Sequence, residues 1–173
     1  MKNLIFLSLS LMLLGSGCVE VNIDSLSIPQ DDLDVTTTSD PNVTINVSSR
    51  NTEDLSGQNL SSIPQSIFNK RNLEELDVSN NTLTGALPSE IRNLQNLRIL
   101  NASNNNFTGI PAEIGQLDKL EILDYSNNDI TGLPNELGNL SNLRILDLSG
   151  NNPSEFDLNI IRESLADDVE IRL

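Results

Sequence analysis

Two adjoining stretches of the chain repeat the same pattern: "LRILNASNNNFTGIPAEIGQLDK", residues 97–119, and "LEILDYSNNDITGLPNELGNLSN", residues 120–142. Leucines, asparagines, glycine and proline fall at matching places in both. The pattern extends backwards through "LEELDVSNNTLTGALPSEIRNLQN" from Leu73 and forwards into "LRILDLSGNNPSEF" from Leu143. Self-similarity at a fixed period predicts tandem structural units that stack on one another.

The spacing of the repeat is regular enough to align each unit. The second leucine of each unit recurs at intervals of 24, 23 and 23 residues, at Leu76, Leu100, Leu123 and Leu146. An earlier unit, "DLSGQNLSSIPQSIFNKRN" from Asp54, fits the same frame and places Leu55 in line with Val78. The chain therefore contains about five units, which exceeds the roughly three that a stacked core needs.

Each unit begins with a short alternating segment and continues into a turn. Leu76 and Val78, like Leu100 and Ala102, alternate as in a strand with one buried face. Where the chain then turns inward, an asparagine side chain can satisfy buried backbone amides and carbonyls, because it carries both a donor and an acceptor. These asparagines are Asn81, Asn105, Asn128 and Asn151, and we expect Gln58 to act similarly in the first unit.

The rest of each unit predicts a turn and a return to the core. Gly85, Gly109 and Gly132 permit turns, and Pro88, Pro111 and Pro134 fit the start of a short helix or a polyproline-like arc.

The repeats match the pattern L-x-x-L-x-L-x-x-N-x-L, and the chain resembles the leucine-rich repeat family over about two-thirds of its length. The resemblance implies an α/β repeat solenoid, a short leucine-rich repeat horseshoe with a parallel concave β-sheet, about five repeats and a C-terminal cap. We predict that "FDLNIIRESLADD" from Phe156 forms a helix with Ile160, Ile161 and Leu165 on one side. "VEIRL" then supplies a last strand, with Val169 in line with Leu146.

Leucine-rich repeat proteins that this chain resembles generally bind other proteins through the concave surface. The strands predict three columns of side chains facing outward: isoleucines, acidic or amide residues, and serines from Ser56 to Ser149. An apolar ridge beside an acidic column suits a protein partner with an apolar anchor flanked by Lys or Arg. The candidate partner-binding residues are Asp77, Ile99, Asn101, Ile122, Asp124, Ile145 and Asp147. The alternative is that these residues only satisfy strand preferences.

The N-terminal residues have the features of an export signal. Lys2 precedes an apolar run over residues 4–14, which as a helix is too short to cross a hydrocarbon core of ~30 Å. The small residues before Cys18 resemble the bacterial lipoprotein signal, which implies acylation of Cys18 and cleavage before it. An ordinary signal peptide with a free thiol is the alternative.

This interpretation divides the chain into three parts. Residues 1–17 are a signal peptide, residues 18–50 a lipidated N-terminus and flexible tether, and residues 51–173 the leucine-rich repeat domain. Within the tether, "VTINV" at residues 43–47 alternates and predicts a short strand that caps the solenoid.

Composition argues against several functional classes. The formal net charge of −15 disfavours nucleic-acid binding, because the surface repels phosphate. The absence of His, and a single Cys that belongs to the signal, remove the usual general base, thiol nucleophile and imidazole ligands. We therefore expect no enzyme activity, no cofactor and no metal. Two alternatives to this expectation involve the carboxylates of Asp124 and Asp147. These could share a Ca²⁺ ion or act as a hydrolytic pair.

The sequence thus predicts a membrane-anchored leucine-rich repeat lipoprotein of the cell envelope, held outside the cytoplasm at the bacterial outer membrane or cell surface, that binds a protein partner. One alternative is a secreted, non-lipidated binding protein, since "LTGALPSEI" resembles plant-type repeats. The other is a structural envelope spacer without a specific ligand.

Overall fold

A computed structural model describes residues 51–173. The main sheet of this region has six parallel strands in the order β1-β2-β4-β6-β7-β8. These strands are β1 (Thr52–Asp54), β2 (Glu75–Asp77), β4 (Ile99–Asn101), β6 (Ile122–Asp124), β7 (Ile145–Asp147) and β8 (Glu170–Arg172). A second, two-stranded parallel sheet joins β3 (Thr84–Gly85) and β5 (Asn106–Phe107). The predicted α/β repeat solenoid is confirmed.

The strand register reproduces the alignment of the repeats. Leu76 pairs with Leu100, Leu100 with Leu123, and Leu123 with Leu146. Asp54 pairs with Asp77, which puts Leu55 and Val78 in line as predicted. Cys18 and the residues 43–47 that were expected to form a capping strand lie outside the described residues.

Short 3₁₀ helices lie opposite the main sheet in each unit and close the core. Each follows a proline, whose ring fixes a backbone angle suited to helix entry. The Pro88 carbonyl accepts the Ile91 amide at 3.0 Å, and the other three helices begin in the same way. The prediction of prolines at the starts of short helices is confirmed for helices Ser89–Asn93, Ala112–Gln116 and Asn135–Asn139, and Gln65–Asn69 follows Pro64.

The core is a stack of aliphatic side chains between the sheet and the 3₁₀ helices. Leu76, Leu100, Leu123 and Leu146 are all at most 1% exposed. Full burial of such a side chain contributes about 1.5–3 kcal/mol. Tyr125 packs edge-to-face against Phe107 with ring centroids 5.5 Å apart, and its hydroxyl meets no hydrogen-bond partner within residues 51–173.

A ladder of buried asparagines joins the units where the chain leaves each strand, as predicted. The Asn105 side-chain amide donates to the carbonyls of Val78, Ala102 and Ser103 at 3.0–3.2 Å. Its oxygen accepts the backbone amide of Leu83 at 3.0 Å. One side chain therefore links its own turn to the preceding unit. The same pattern of donors and an accepting oxygen recurs at Asn81, Asn128 and Asn151.

Gln58 does not join this ladder, so the expectation for the first unit was wrong. The side chain is exposed and donates to the Asp54 carbonyl at 3.4 Å. The Leu55 carbonyl instead accepts from Asn81 of the following unit, at 2.9 Å. The ladder therefore begins at Asn81, because each asparagine reaches back to the unit before its own.

The C-terminal end differs from the repeats. Helix α1 (Glu155–Ser164) begins after Ser154, whose hydroxyl accepts the Asp157 amide, and buries Leu158 and Ile161. Leu165 is also buried, as predicted, whereas Ile160 is only half-buried.

The last strand is displaced from its expected register by two residues. Ile171, rather than Val169, lies opposite Leu146 in β7. The longer α1 replaces a five-residue 3₁₀ helix, so this step takes 25 residues instead of 23. Because the shift is even, an apolar side chain still faces the core.

Replacing Asn105 with alanine should lower the free energy of unfolding by at least about 2 kcal/mol. The change leaves the Leu83 amide buried without a partner, at about 1–3 kcal/mol, and removes one of the hydrogen bonds that the Val78, Ala102 and Ser103 carbonyls accept, at about 0.5–1.5 kcal/mol each. Urea denaturation of purified protein measures the loss. Asn106→Ala is the control, since this neighbouring side chain is exposed. Equal stability of the two variants would contradict a structural role for the ladder.

Two glycines in the helical layer allow adjacent units to approach closely. A methyl group on Gly115 would overlap the backbone oxygen of Glu136 and lie 2.7 Å from its carbonyl carbon. A methyl group on Gly138, in the matching position of the next unit, would overlap the Ser164 side chain of α1. Side chains at these positions would push neighbouring units apart.

We therefore expect Gly115→Ala to destabilise the protein by about 1–3 kcal/mol, as is usual when a packed site is overfilled. Gly109→Ala is the matched control, because no atom of the described structure lies within 4 Å of the added carbon and its backbone angle suits alanine. Thermal denaturation of both variants distinguishes them. A Gly115→Ala protein as stable as Gly109→Ala would show that the layer tolerates separation.

Candidate protein-binding surface

Three isoleucines form a continuous apolar strip on the outer face of the main sheet. Ile99, Ile122 and Ile145 are direct neighbours in β4, β6 and β7. Each is half-buried, because adjacent strands lie ~4.8 Å apart and the side chains partly cover one another. Glu75 and Glu170 occupy the same column at its two ends. We call the three residues the isoleucine ridge.

The second predicted column also forms, and we call it the aspartate column. It consists of Asp77, Asn101, Asp124 and Asp147 in register on neighbouring strands. All four are half-buried, and Arg172 continues the column in β8. The structure thus brings all seven sequence-predicted binding residues onto one face of one sheet.

Hydrogen bonds within the chain occupy much of the aspartate column. One carboxylate oxygen of Asp77 accepts the Ser79 backbone amide at 2.8 Å, and Asp124 and Asp147 accept the corresponding serine amides. The second oxygen of Asp77 accepts the Asn101 amide at 2.9 Å. These side chains therefore fix the turn after each strand, which gives the column a structural role beside any role in binding.

The second carboxylate oxygens differ along the column. The Arg172 guanidinium lies 3.5 Å from Asp147 Oδ2. Within residues 51–173, Asp124 Oδ2 has no hydrogen-bond partner. Asp124 is consequently the carboxylate in the middle of the column that remains available to a cation.

The three inner serines of the predicted serine column do not face outward as expected. Ser79, Ser103 and Ser126 are 3–8% exposed, whereas Ser56 and Ser149 at the ends of the column are half-buried. The backbone amides of the three inner serines donate to side-chain oxygens of the aspartate column, and the Ser103 carbonyl accepts the Asn80 backbone amide of the preceding unit at 3.0 Å. The serines belong to the turn, so they contribute little to a binding surface.

A row of charges precedes the isoleucine ridge and alternates in sign from unit to unit. It consists of Glu74, Arg98, Glu121 and Arg144. Arg98 Nε donates to Glu121 Oε1 at 2.8 Å. This bond and the attraction between the charges raise the pKa of Arg98, and the bond chiefly lowers the pKa of Glu121.

The row opens into a depression of about 450 Å³ that we call the basic depression. Lys119 and Asn142 line it together with Arg98, Glu121 and Arg144. This cluster was not among the binding residues predicted from the sequence. Its signal was the alternation of Glu and Arg directly before each isoleucine, which becomes informative only when the strands are stacked.

The titratable side chains of residues 51–173 do not gather into a metal site. Among residues 51–173, no three His, Cys, Asp or Glu side chains cluster as metal ligands would. The sole tyrosine, Tyr125, is buried, and burial raises the pKa of its hydroxyl. In this same region, no helix has the length and apolar character needed to cross a bilayer.

The chain belongs to the leucine-rich repeat family. A family model described as "Leucine-rich repeat region" matches residues 54–167. Members of this family are generally non-enzymatic proteins whose fold commonly mediates protein–protein binding. The search of curated proteins gave no match.

Solved structures with the same fold include proteins of a bacterium and a plant. A leucine-rich repeat protein of Leptospira interrogans is 39% identical over 65% of this chain, with a TM-score of 0.61. The BIR3–SERK2 complex of Arabidopsis thaliana gives 37% identity over 58% of this chain and a TM-score of 0.54. The ectodomain of the Arabidopsis receptor kinase SOBIR1 gives 30% identity over 69%, with a TM-score of 0.56. The matches span 28%, 56% and 65% of those chains, respectively.

The hydrogen bonds of the aspartate column make the stability of the protein depend on pH in the acidic range. Burial raises the pKa of Asp147, but hydrogen bonds from Ser149 and the Arg172 guanidinium outweigh it and hold the pKa below its usual value of 3.8. A depressed folded-state pKa stabilises the protein above the unfolded pKa, and this contribution is lost as the pH falls through the folded pKa.

We therefore expect wild-type stability to fall below about pH 5, and Asp147→Asn to make that fall shallower. Denaturant titrations at a series of pH values measure the slope. Asp129→Asn, which removes an exposed carboxylate outside the strands, should change it less. An unaltered slope in Asp147→Asn would contradict the assignment.

Proposed function

We propose that this protein is a membrane-anchored leucine-rich repeat lipoprotein of the cell envelope, held at the bacterial outer membrane or cell surface, that binds a protein partner through the concave face of its main sheet. The observation that carries the binding proposal is the isoleucine ridge, with the aspartate column along one side. The anchor proposal rests on Cys18, which follows a short apolar run and small residues.

Several features support protein binding over a passive spacer. Three half-buried isoleucines in register provide an apolar contact surface, and charged residues on both flanks can orient a partner. The family's fold commonly mediates protein–protein binding, and one structural relative was solved as a complex of two proteins, BIR3 and SERK2. The contacts that we assign to this chain are Ile99, Ile122 and Ile145 in the centre, with Asp77, Asn101, Asp124 and Asp147 beside them.

The anchor is tested by the intact mass of the N-terminal peptide after expression in a bacterium. We expect Cys18 to be the first residue and to carry a diacylglyceryl-type mass, which is absent from Cys18→Ser. An unmodified Cys18 in the exported wild-type protein would show that the protein is secreted rather than anchored to the membrane. Binding by the concave face is independent of that outcome.

The binding surface is tested by photo-crosslinking from the ridge. We expect p-benzoylphenylalanine at Ile122 to crosslink to a discrete protein in intact cells, and excess unlabelled protein should compete. Gln116 is the matched control position, since it is exposed in the 3₁₀ helix of the unit that precedes β6. Equal crosslinking from both positions would contradict a concave binding surface.

The affinity for this crosslinked partner then measures the contribution of the isoleucine ridge to binding. Ile99→Ser and Ile145→Ser should together weaken its affinity by about 2 kcal/mol or more, because central apolar contacts dominate most interfaces. Both side chains are half-buried at the surface, so circular dichroism should confirm that the variant remains folded. Unchanged affinity in a folded variant would place the binding surface elsewhere.

A further inference from the structure

We propose that the basic depression is an anion-binding subsite that takes carboxylate groups from an acidic segment of the protein partner. This inference rests on the proposed function, because it assigns a chemistry to one flank of the same concave face. The sequence predicted a partner with cationic contacts at the aspartate column. The structure adds a second requirement on the opposite side of the isoleucine ridge.

The first support is the pairing of cations in the described structure. Lys70, Arg92, Arg98, Arg162 and Arg172 each have an acidic group within 4.0 Å. Within residues 51–173, three other cationic side chains have none, namely Arg71, Lys119 and Arg144. Two of these three line the basic depression. Glu121 attracts Arg144 from beyond this distance, so the depression carries three cations and one carboxylate. In a chain with a net charge of −15, this local excess of positive charge indicates a place for an external anion.

The second support is that the surrounding side chains are held in place. Lys119 Nζ donates to Asn96 Oδ1 at 2.7 Å, and Asn142 donates to the Asp118 carbonyl at 2.6 Å. Arg98 is fixed by Glu121, as described above. A neutral oxygen holds Lys119 without cancelling its charge. The site therefore offers three cations, of which Arg98 is paired with the one internal carboxylate, Glu121.

The third support is the position of the depression. Arg98 and Arg144 directly precede Ile99 and Ile145, so the cations border the isoleucine ridge. Their backbones are two strands apart, about 9.6 Å at ~4.8 Å per strand. Side chains of an extended peptide alternate between its two sides, so residues two apart face the same side and lie about 6.6 Å from each other. Glutamates two residues apart can therefore face the depression, with the long Arg and Glu side chains covering the remaining distance. The apolar residues that alternate with them face the ridge.

The net charge of the chain indicates which class of anion the basic depression binds. Nucleic acids and anionic bilayers present many phosphates over a wide area, and the acidic groups elsewhere on this chain repel them. A short segment with two carboxylates can contact the depression alone. We therefore assign the subsite to an acidic peptide segment.

The test is NMR titration of the purified full-length chain in a non-ionic detergent. The probe is an acetylated, amidated peptide containing Glu-Leu-Glu-Leu, compared with the same peptide containing Gln-Leu-Gln-Leu. We expect the Glu peptide to shift the side-chain Nε signals of Arg98 and Arg144 and the amide signals of the ridge. Lys119→Gln combined with Arg144→Gln should weaken binding about three- to tenfold, in keeping with two exposed ion pairs.

Arg71→Gln is the matched control, because it removes a cation that lacks an acidic partner and lies outside the depression. It should leave the affinity within about twofold. Equal binding of the Gln peptide, or no loss in the double variant, would overturn the proposal. So would the same shifts with sulfate at the peptide's concentration, which would define a simple anion site, or with phosphatidylglycerol vesicles, which would define a membrane contact.

A final comparison separates this inference from the proposed function. The partner crosslinked from Ile122 is titrated against the Lys119→Gln, Arg144→Gln protein. Weaker binding supports the subsite. Unchanged affinity, with crosslinking intact, would overturn the subsite while leaving the concave binding surface standing.

Discussion

The asparagine ladder is the constraint on which the rest of the structure depends. A solenoid must turn its backbone inward once in every unit, and each inward turn buries amides and carbonyls that strands or helices would otherwise satisfy. Asn105 meets this need from one side chain, with its amide donating to three carbonyls and its oxygen accepting the Leu83 amide. Because it contacts the preceding unit, it also sets the stacking of one repeat on the next.

The binding surface follows from that stacking. Fixed registers bring Ile99, Ile122 and Ile145 together and align the aspartate column beside them. As in the ladder, side-chain oxygens in the aspartate column accept backbone amides. Here the carboxylates accept the amides of the turns that follow each strand. Structural and binding roles thus share the same residues. The flanks then differ in charge, with Asp124 available on one side and Arg144 on the other, so the face can orient a partner as well as hold it.

The periodic features of the fold were predictable from sequence, because a repeat reports the same physical need several times. The ladder, the prolines before short helices and the sheet register belong to this class. The structure departs from the sequence predictions where the repeat length changes and where side chains of different units come together. Ile171 replaced Val169 opposite Leu146 because a longer helix precedes it. The basic depression needs three dimensions, since Lys119 and Arg144 become neighbours only after the units stack.

The central claim is that the asparagine ladder holds the units together. Hydrogen exchange at the backbone amides that donate to the ladder tests it most directly. The amides of Leu83, Phe107 and Ile130 donate to asparagine side chains of the following units at 2.8–3.0 Å. If the ladder holds the solenoid together, these amides should exchange as slowly as those of the main sheet, because they open only when units separate. Exchange as fast as at exposed turn amides would contradict the account and leave aliphatic packing alone to stack the repeats.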